Sequence, residues 1–238
     1  MPVDLLAIAA HRDDAELTCA GTLLRAVDNG HRTGILDLTA GETGTRGSAA
    51  LRADEAARAA QILGVTERRN AGLPDAYLQN SDETRRIIVE QIRHFAPRVV
   101  ILPYPVGRHP DHRITSELGR DACFLAGLAR YKAAGEPHRP HKILYALSYR
   151  EDPVKPTFVV DISDQFARKL AAIRCYASQF DGATKAGEIF PTGQDLYSLV
   201  ETQNAHYGSL IRTRYGEPFY TEETVRVDDV LRLEVQSM

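Results

Sequence analysis

Two short stretches of this chain hold enough reactive side chains to do chemistry. In "AIAAHRDDAE" (residues 7–16) an apolar run stops at His11, and Arg12, Asp13 and Asp14 follow without a spacer. In "RHPDHR" (108–113), Arg108, His109, Pro110, Asp111, His112 and Arg113 crowd two imidazoles and a carboxylate together. Adjacent carboxylates repel and are costly to desolvate, so a pair at the end of a buried run needs a helix to cap or a cation between them. Two imidazoles and one carboxylate are good zinc ligands, and three protein ligands leave a position open for water, the mark of a catalytic site. Zinc there makes hydroxide available near neutral pH. A second aspartate then has work as general base, and a second histidine can hold an oxyanion or protonate a leaving amine. Asp111 can orient a ring nitrogen from behind. The plainer reading is two helix starts: Asp is a favoured cap, acidic first turns suit the helix dipole, and Pro110 fits the first helical position. That reading leaves the histidines unexplained.

The elements around these stretches place them together. The apolar run 3–10 suits a strand covered on both faces. Residues 14–30 carry apolar side chains at helical spacing up to Asn29-Gly30. A strand at 32–40 leads into the Gly-rich loop 41–48, then a helix at 49–64 closed by Gly64, and a short strand within 65–73. A helix at 81–97, with Ser81 as its cap, leads to a strand at 98–105. This alternation predicts an α/β fold: a Rossmann-like, doubly wound, mainly parallel sheet flanked by helices, in a single domain. In a sheet of order 3-2-1-4 the first and fourth strands are neighbours, and ligands bind in the crevice beyond their carboxyl ends. Both reactive stretches fall there. A helix at about 110–130, strands at 142–149 and 157–162, and one helix over 164–180 capped by Ser163 follow. After them come a loop at 181–193, a helix at about 194–213 and a mixed tail.

Bulk properties narrow the field. The chain has 238 residues, 43% hydrophobic and 26% charged, ordinary for a globular protein with a sizeable core. A net charge of −3 gives no general pull toward nucleic acid or anionic lipid. No apolar stretch approaches the ~20 residues of a membrane span. Cys19, Cys123 and Cys175 stand far apart among small or apolar neighbours, as reduced and mostly buried thiols of a cytoplasmic protein would. His31, His94, His138, His141 and His206 match no ligand spacing and read as surface or loop residues. Tyr197 and Tyr207 lie on a late helix that could face a neighbouring subunit.

"AHRDDAE" taken with "HPDH" resembles the paired motif of the PIG-L (LmbE-like) zinc-dependent de-N-acetylases. The likeness continues through "GHRTGILDLTAGETGTRGS", "LRADEAARAAQILGV", "AGLPDAYL", "PYPVGRHPDH" and "FVVDISDQFARKLAAIRCYASQF", up to about residue 180. Within the family it is most similar to the bacillithiol-pathway enzymes that deacetylate N-acetylglucosaminyl malate. The resemblance implies that His11, Asp14 and His112 hold zinc, that Asp13 is the general base and that His109 faces the tetrahedral intermediate. It implies that Arg52 holds the sugar, where the plainer role is a surface ion pair with Glu55. Glu42 and Asp75 would touch sugar hydroxyls, and Arg108 would offer positive charge at the rim to an anionic aglycone. It also implies a homo-oligomer, trimer or hexamer, acting on a small N-acetylated sugar, with no nucleic acid or membrane involved. The chain departs from the family at Arg12, where proline is usual. Arginine there either adds a cation beside the carboxylates, favouring their ionised forms and weakening Asp13 as a base, or points away with only the backbone adapted.

Other readings have their own tests. A nucleotide-binding module would use the turn after the first strand for pyrophosphate, but G-x-G-x-x-G is absent and Asp13 and Asp14 would repel phosphate. Deacetylation of a different N-acetyl sugar (a disaccharide, a lipid-linked sugar or an antibiotic precursor) uses the same site. A zinc-binding relative with weak or no activity would follow if Arg12 disables the base.

Overall fold

The run of residues 5–9 is apolar at every position because it lies at the centre of the sheet. In the computed structural model, which describes residues 2–147, 154–181 and 195–235, strand β1 (Leu5–Ala9) is buried throughout. β2 (Thr33–Thr39) lies on one side of it and β4 (Val99–Pro103) on the other. Side chains alternate between two cores. Leu6, Ile8, Leu36, Leu38, Val100 and Leu102 face one, with helices α3 (Asp82–Phe95) and α4 (Pro110–Ala126). Leu5, Ala7, Ala9, Ile35 and Ile101 face the other, with α1 (Asp14–Asp28), α2 (Ala49–Leu63) and α5 (Phe166–Arg174). This period-2 division into two apolar faces is what a strand sandwiched between helix layers requires.

β3 (Glu67–Leu73) pairs with β2 at the edge, and β5 (Lys142–Ala146) pairs with β4; all five strands are parallel. The full order is β3-β2-β1-β4-β5-β7-β6, so winding reverses between β1 and β4 as expected. Local signals stop and start the helices. Gly64 closes α2 in the left-handed conformation at φ 66°, and Ser81 and Thr84 form a reciprocal cap on α3.

Three expectations need correction. The mixed tail contains β7 (Gly216–Tyr220), inserted antiparallel between β5 and β6 (Phe158–Asp161). Within its "GEPFY", Glu217 is buried and paired: Lys169 Nζ lies 2.6 Å from Oε1, and the Thr22 amide donates to Oε2 at 2.7 Å. The helix over 164–180 is interrupted, giving α5 and a short α6 (Ala177–Phe180). At the junction the amides of Cys175 and Tyr176 bond three residues back, which turns the Tyr176 ring inward. Ser163 does not cap α5; its hydroxyl donates to Asp161 Oδ1, and Gln165 holds the cap position. The last helix, α7 (Leu196–Leu210), is capped by Asp195. Residues 148–149 of the expected strand and 182–193 of the expected loop lie outside the described residues. Cys19 and Cys123 are buried, Cys175 is half-buried, and all three are unpaired.

Candidate metal centre at the switch point

β1 ends at Ala9, and the next turn delivers His11, Asp13 and Asp14 to the crevice between β1 and β4. β4 ends at Pro103, and the loop behind it delivers His109, Asp111 and His112 at the start of α4. A cavity of about 30 Å³ opens beneath, lined in part by Ala9, Asp14, Thr18, Pro103 and His112. The helix-start reading holds for position, since Pro110 opens α4 with Asp111 in its first turn and Asp14 lies in the first turn of α1, but it does not account for the capping bonds. Asp13 occupies the cap position of α1 but makes no side-chain cap hydrogen bond. At α4 the cap is His109, whose Nδ1 accepts the Asp111 amide N–H at 3.2 Å.

His11, Asp14 and His112 meet with candidate ligand atoms all within 4.8 Å of one another. Asp14 sits between the rings: Oδ2 is 3.4 Å from His11 Nδ1, and Oδ1 is 3.2 Å from His112 Nε2. In a tetrahedral zinc site with bonds of about 2.1 Å, ligand atoms stand about 3.4 Å apart. The donor set and its spacing therefore fit zinc. A second group, His11, His109 and Asp111, also gathers within 4.8 Å, but it shares His11 with the first, and one atom each of His109 and Asp111 is already bonded within the protein. His109 Nδ1 is the helix cap, and Asp111 Oδ2 accepts the Ala76 amide at 2.9 Å.

The far nitrogen of His11 shows what that second side does. His11 Nε2 lies 3.1 Å from Asp75 Oδ1 and 3.4 Å from Asp111 Oδ2. A carboxylate behind a ligating imidazole fixes its tautomer and raises its basicity. The other oxygen of Asp75 accepts from the amide and hydroxyl of Thr43, and the Asp75 amide donates to Glu42 Oε1. Both Asp75 oxygens are thus committed within the protein, behind the ligand. Glu42 is exposed, as is Arg108 at the rim.

Arg52 does not pair with Glu55. It is buried, with Nη2 3.3 Å from Asp13 Oδ2 and Nη1 donating to Gly41 O, while Glu55 accepts from Ser178. Gly41 makes the room: it adopts φ +70°, and a Cβ there would stand 2.1 Å from Arg52 Nη1. Arg12 turns away from the carboxylates. Its Nη1 donates to Ala49 O at 2.6 Å in the first turn of α2, so the cation in contact with Asp13 is Arg52.

The electrostatics follow from this arrangement. Burial opposes charge on His11, but hydrogen bonds with Asp14 and Asp75 outweigh it and push its pKa up to about 11. Burial likewise opposes charge on His112, and Asp14 raises it nonetheless. Burial alone would raise Asp14, but His112 and His11 hold it well below the usual carboxylate range. Asp13 is raised by burial, with Arg52 pulling against the shift. His109 is lowered by burial and by the neighbouring imidazoles, which disfavour its charged form. The cluster favours positive charge between its carboxylates: protons on the imidazoles, or a cation in their place.

A second layer escaped the sequence reading. Behind the 11–14 turn, Arg68 on β3 grips Asp37 through Nε and Nη2 at 2.7 and 2.8 Å and reaches Glu16 at 2.5 Å. Tyr176 packs its hydroxyl 2.9 Å from Glu16 Oε1. A carboxylate in the middle of the apolar strand "GILDLT" was the available signal, since a buried charge demands a partner.

An open, mostly parallel sheet with a two-histidine, one-aspartate group that could hold a metal ion at its switch point defines a class of ligand-binding α/β proteins. Residues 6–123 match the PIG-L family, described as GlcNAc-PI de-N-acetylase. Diacetylchitobiose deacetylase from Thermococcus kodakarensis is 32% identical over 90% of this chain and 80% of its own length. A probable N-acetyl-alpha-D-glucosaminyl L-malate deacetylase 2 from Bacillus anthracis is 31% identical over 78% of this chain and 84% of its own. The crystal structure of the conserved protein TT1542 from Thermus thermophilus superposes with a TM-score of 0.85 at 37% identity, covering 95% of this chain and 98% of that one. The chain belongs to the PIG-L, or LmbE-like, family. No helix among the described residues is long and apolar enough to cross a membrane.

Proposed function

We propose that this protein is a zinc-dependent hydrolase that removes the acetyl group from an N-acetylglucosamine conjugate. The observation that carries the reading is the group His11, Asp14 and His112 at ligand spacing, with Asp13 beside it on a buried arginine. These three residues would hold zinc, which would supply a Lewis acid able to polarise a carbonyl and make water acidic enough to lose a proton near neutral pH. Asp13 takes that proton as water attacks the acetyl carbon. Arg52 keeps Asp13 oriented and opposes the upward shift that burial imposes on it. His109 accepts the Asp111 amide on Nδ1, so its proton sits on Nε2. Exposed at the crevice, it donates that N–H to the acetyl oxygen as negative charge develops there. Asp13 then returns its proton to the glucosamine nitrogen as the C–N bond breaks, releasing acetate. Asp75 and Asp111 hold His11 from behind, and Glu42 steadies the Asp75 loop.

For the aglycone we assign malate first, because Arg108 stands at the rim and the malate-conjugate deacetylase of Bacillus anthracis is a relative. The chitobiose enzyme of Thermococcus kodakarensis favours a second sugar in that place. With this reading go a cytoplasmic location, in keeping with three unpaired cysteines, and a homo-oligomeric assembly. The test is acetate release from N-acetylglucosaminyl malate, diacetylchitobiose and N-acetylglucosamine, run beside zinc analysis. Turnover that disappears on chelation and returns with zinc supports the proposal. Tight zinc with no turnover on any conjugate would favour a non-enzymatic relative instead.

A further inference from the structure

Arg12 is the residue between the ligand His11 and the Asp13–Asp14 pair, and its backbone is held from two remote parts of the chain. Its carbonyl accepts from Arg68 Nη2 on β3 and from the Tyr176 hydroxyl at the break between α5 and α6. Neither donor is loose. Arg68 is forked onto Asp37 and bonded to Glu16, and the ring of Tyr176 is fully buried against the core of the α1 face. The same residue is tied on its other side, where Arg12 Nη1 reaches Ala49 O on α2, the helix that carries Arg52 to Asp13. The Arg12–Asp13 peptide plane is the mount of Asp13, so turning its carbonyl swings the Asp13 side chain.

We infer that Arg68 and Tyr176 are positioning residues that lock the Arg12 carbonyl and so fix the aim of Asp13 and the ligand turn. They act through the backbone, because both are buried behind it. The arrangement also costs the fold something that packing alone would not require. Two buried carboxylates, Glu16 and Asp37, share one arginine, and Glu16 Oε2 has no hydrogen-bond partner among the described residues. Such local expense is characteristic of functional sites.

The inference rests on the proposed deacetylase reading for its kinetic arm only. Tyr176→Phe removes one hydroxyl and keeps the ring. It should lower kcat by about tenfold to a hundredfold, the effect of a misaimed group, with KM nearly unchanged and zinc at wild-type stoichiometry. In the same variant, hydrogen exchange at the amides of residues 12–14 should quicken while α3 amides keep their rates. Arg68→Lys, which keeps the charge but loses the fork, should shift both readouts the same way. Arg68→Ala would leave two carboxylates unpaired and is unsuitable. Wild-type kcat or wild-type exchange in Tyr176→Phe overturns the proposal, as does a kcat loss matched by an equal loss of bound zinc. Should the wild type deacetylate nothing, the proposed function falls, and exchange alone still decides the clamp: faster supports it, unchanged overturns it.

Discussion

Two buried charged clusters touch α1, one at its middle and one at its start, and they are built on different principles. At the middle Glu217 and Lys169 are both fully buried. Glu217 Oε1 takes the Lys169 ammonium and the Gly21 amide; Oε2 takes the amide and hydroxyl of Thr22. Both oxygens are satisfied and the charges cancel, so the cluster holds β7 and α5 to α1 and asks for nothing more. At the start of α1, Asp13, Asp14, Asp75 and Asp111 surround His11 with Arg52 as the paired arginine. Here the facing atoms of Asp14 and the two imidazoles stand at ligand distances from one another. A buried cluster that is complete within itself marks structure, whereas one short of positive charge marks a place for something to bind.

Variants can break this contrast. The largest effect is expected from Asp14→Ala, which removes a carboxylate shared by both imidazoles: bound zinc and deacetylation should both fall to background, read by metal analysis and acetate release. Asp13→Ala should keep zinc but lose about 10²–10⁴-fold in rate; a rate that survives with metal intact removes Asp13 as the base. Lys169→Met strands Glu217 in the core and should cost about 3–5 kcal/mol in denaturant unfolding, with zinc per folded chain unchanged. If that variant loses zinc instead, the two clusters are coupled and the contrast fails. Asp75→Asn leaves the three ligands in place and weakens their backing, so zinc affinity should drop by about 10–100-fold, measured by competition with a chelating dye.

The parallel half of the fold was legible because burial on two faces writes itself as unbroken apolar runs, and helices α1 to α4 announce their ends with Asn-Gly, Gly and Ser. The meeting of the two reactive stretches was legible from topology alone. What lay hidden depends on contacts between remote residues. Glu217 makes β7 a strand by what it bonds to, not by the β-propensity of Gly-Glu-Pro. Arg52 and Glu55, close on one helix, take different partners, so their spacing misled. Asp75 reads as a turn residue after Pro74, and only the folded chain shows its oxygens spent on His11 and Thr43. Arg12 kept two readings open until its side chain was seen at Ala49.

The late antiparallel strand has a bearing on how the molecule is made. Strand β6 hydrogen-bonds in the sheet only to β7, which is read out 55 residues later. At a synthesis rate of about 5–20 residues per second, β6 waits roughly 3 to 11 seconds for its neighbour. All three proposed zinc ligands have been translated long before, by residue 112. A nascent chain therefore carries all three proposed ligands while its α1 amides at Gly21 and Thr22 still await Glu217, and the last strand to arrive covers the middle of a helix whose first turn is already furnished.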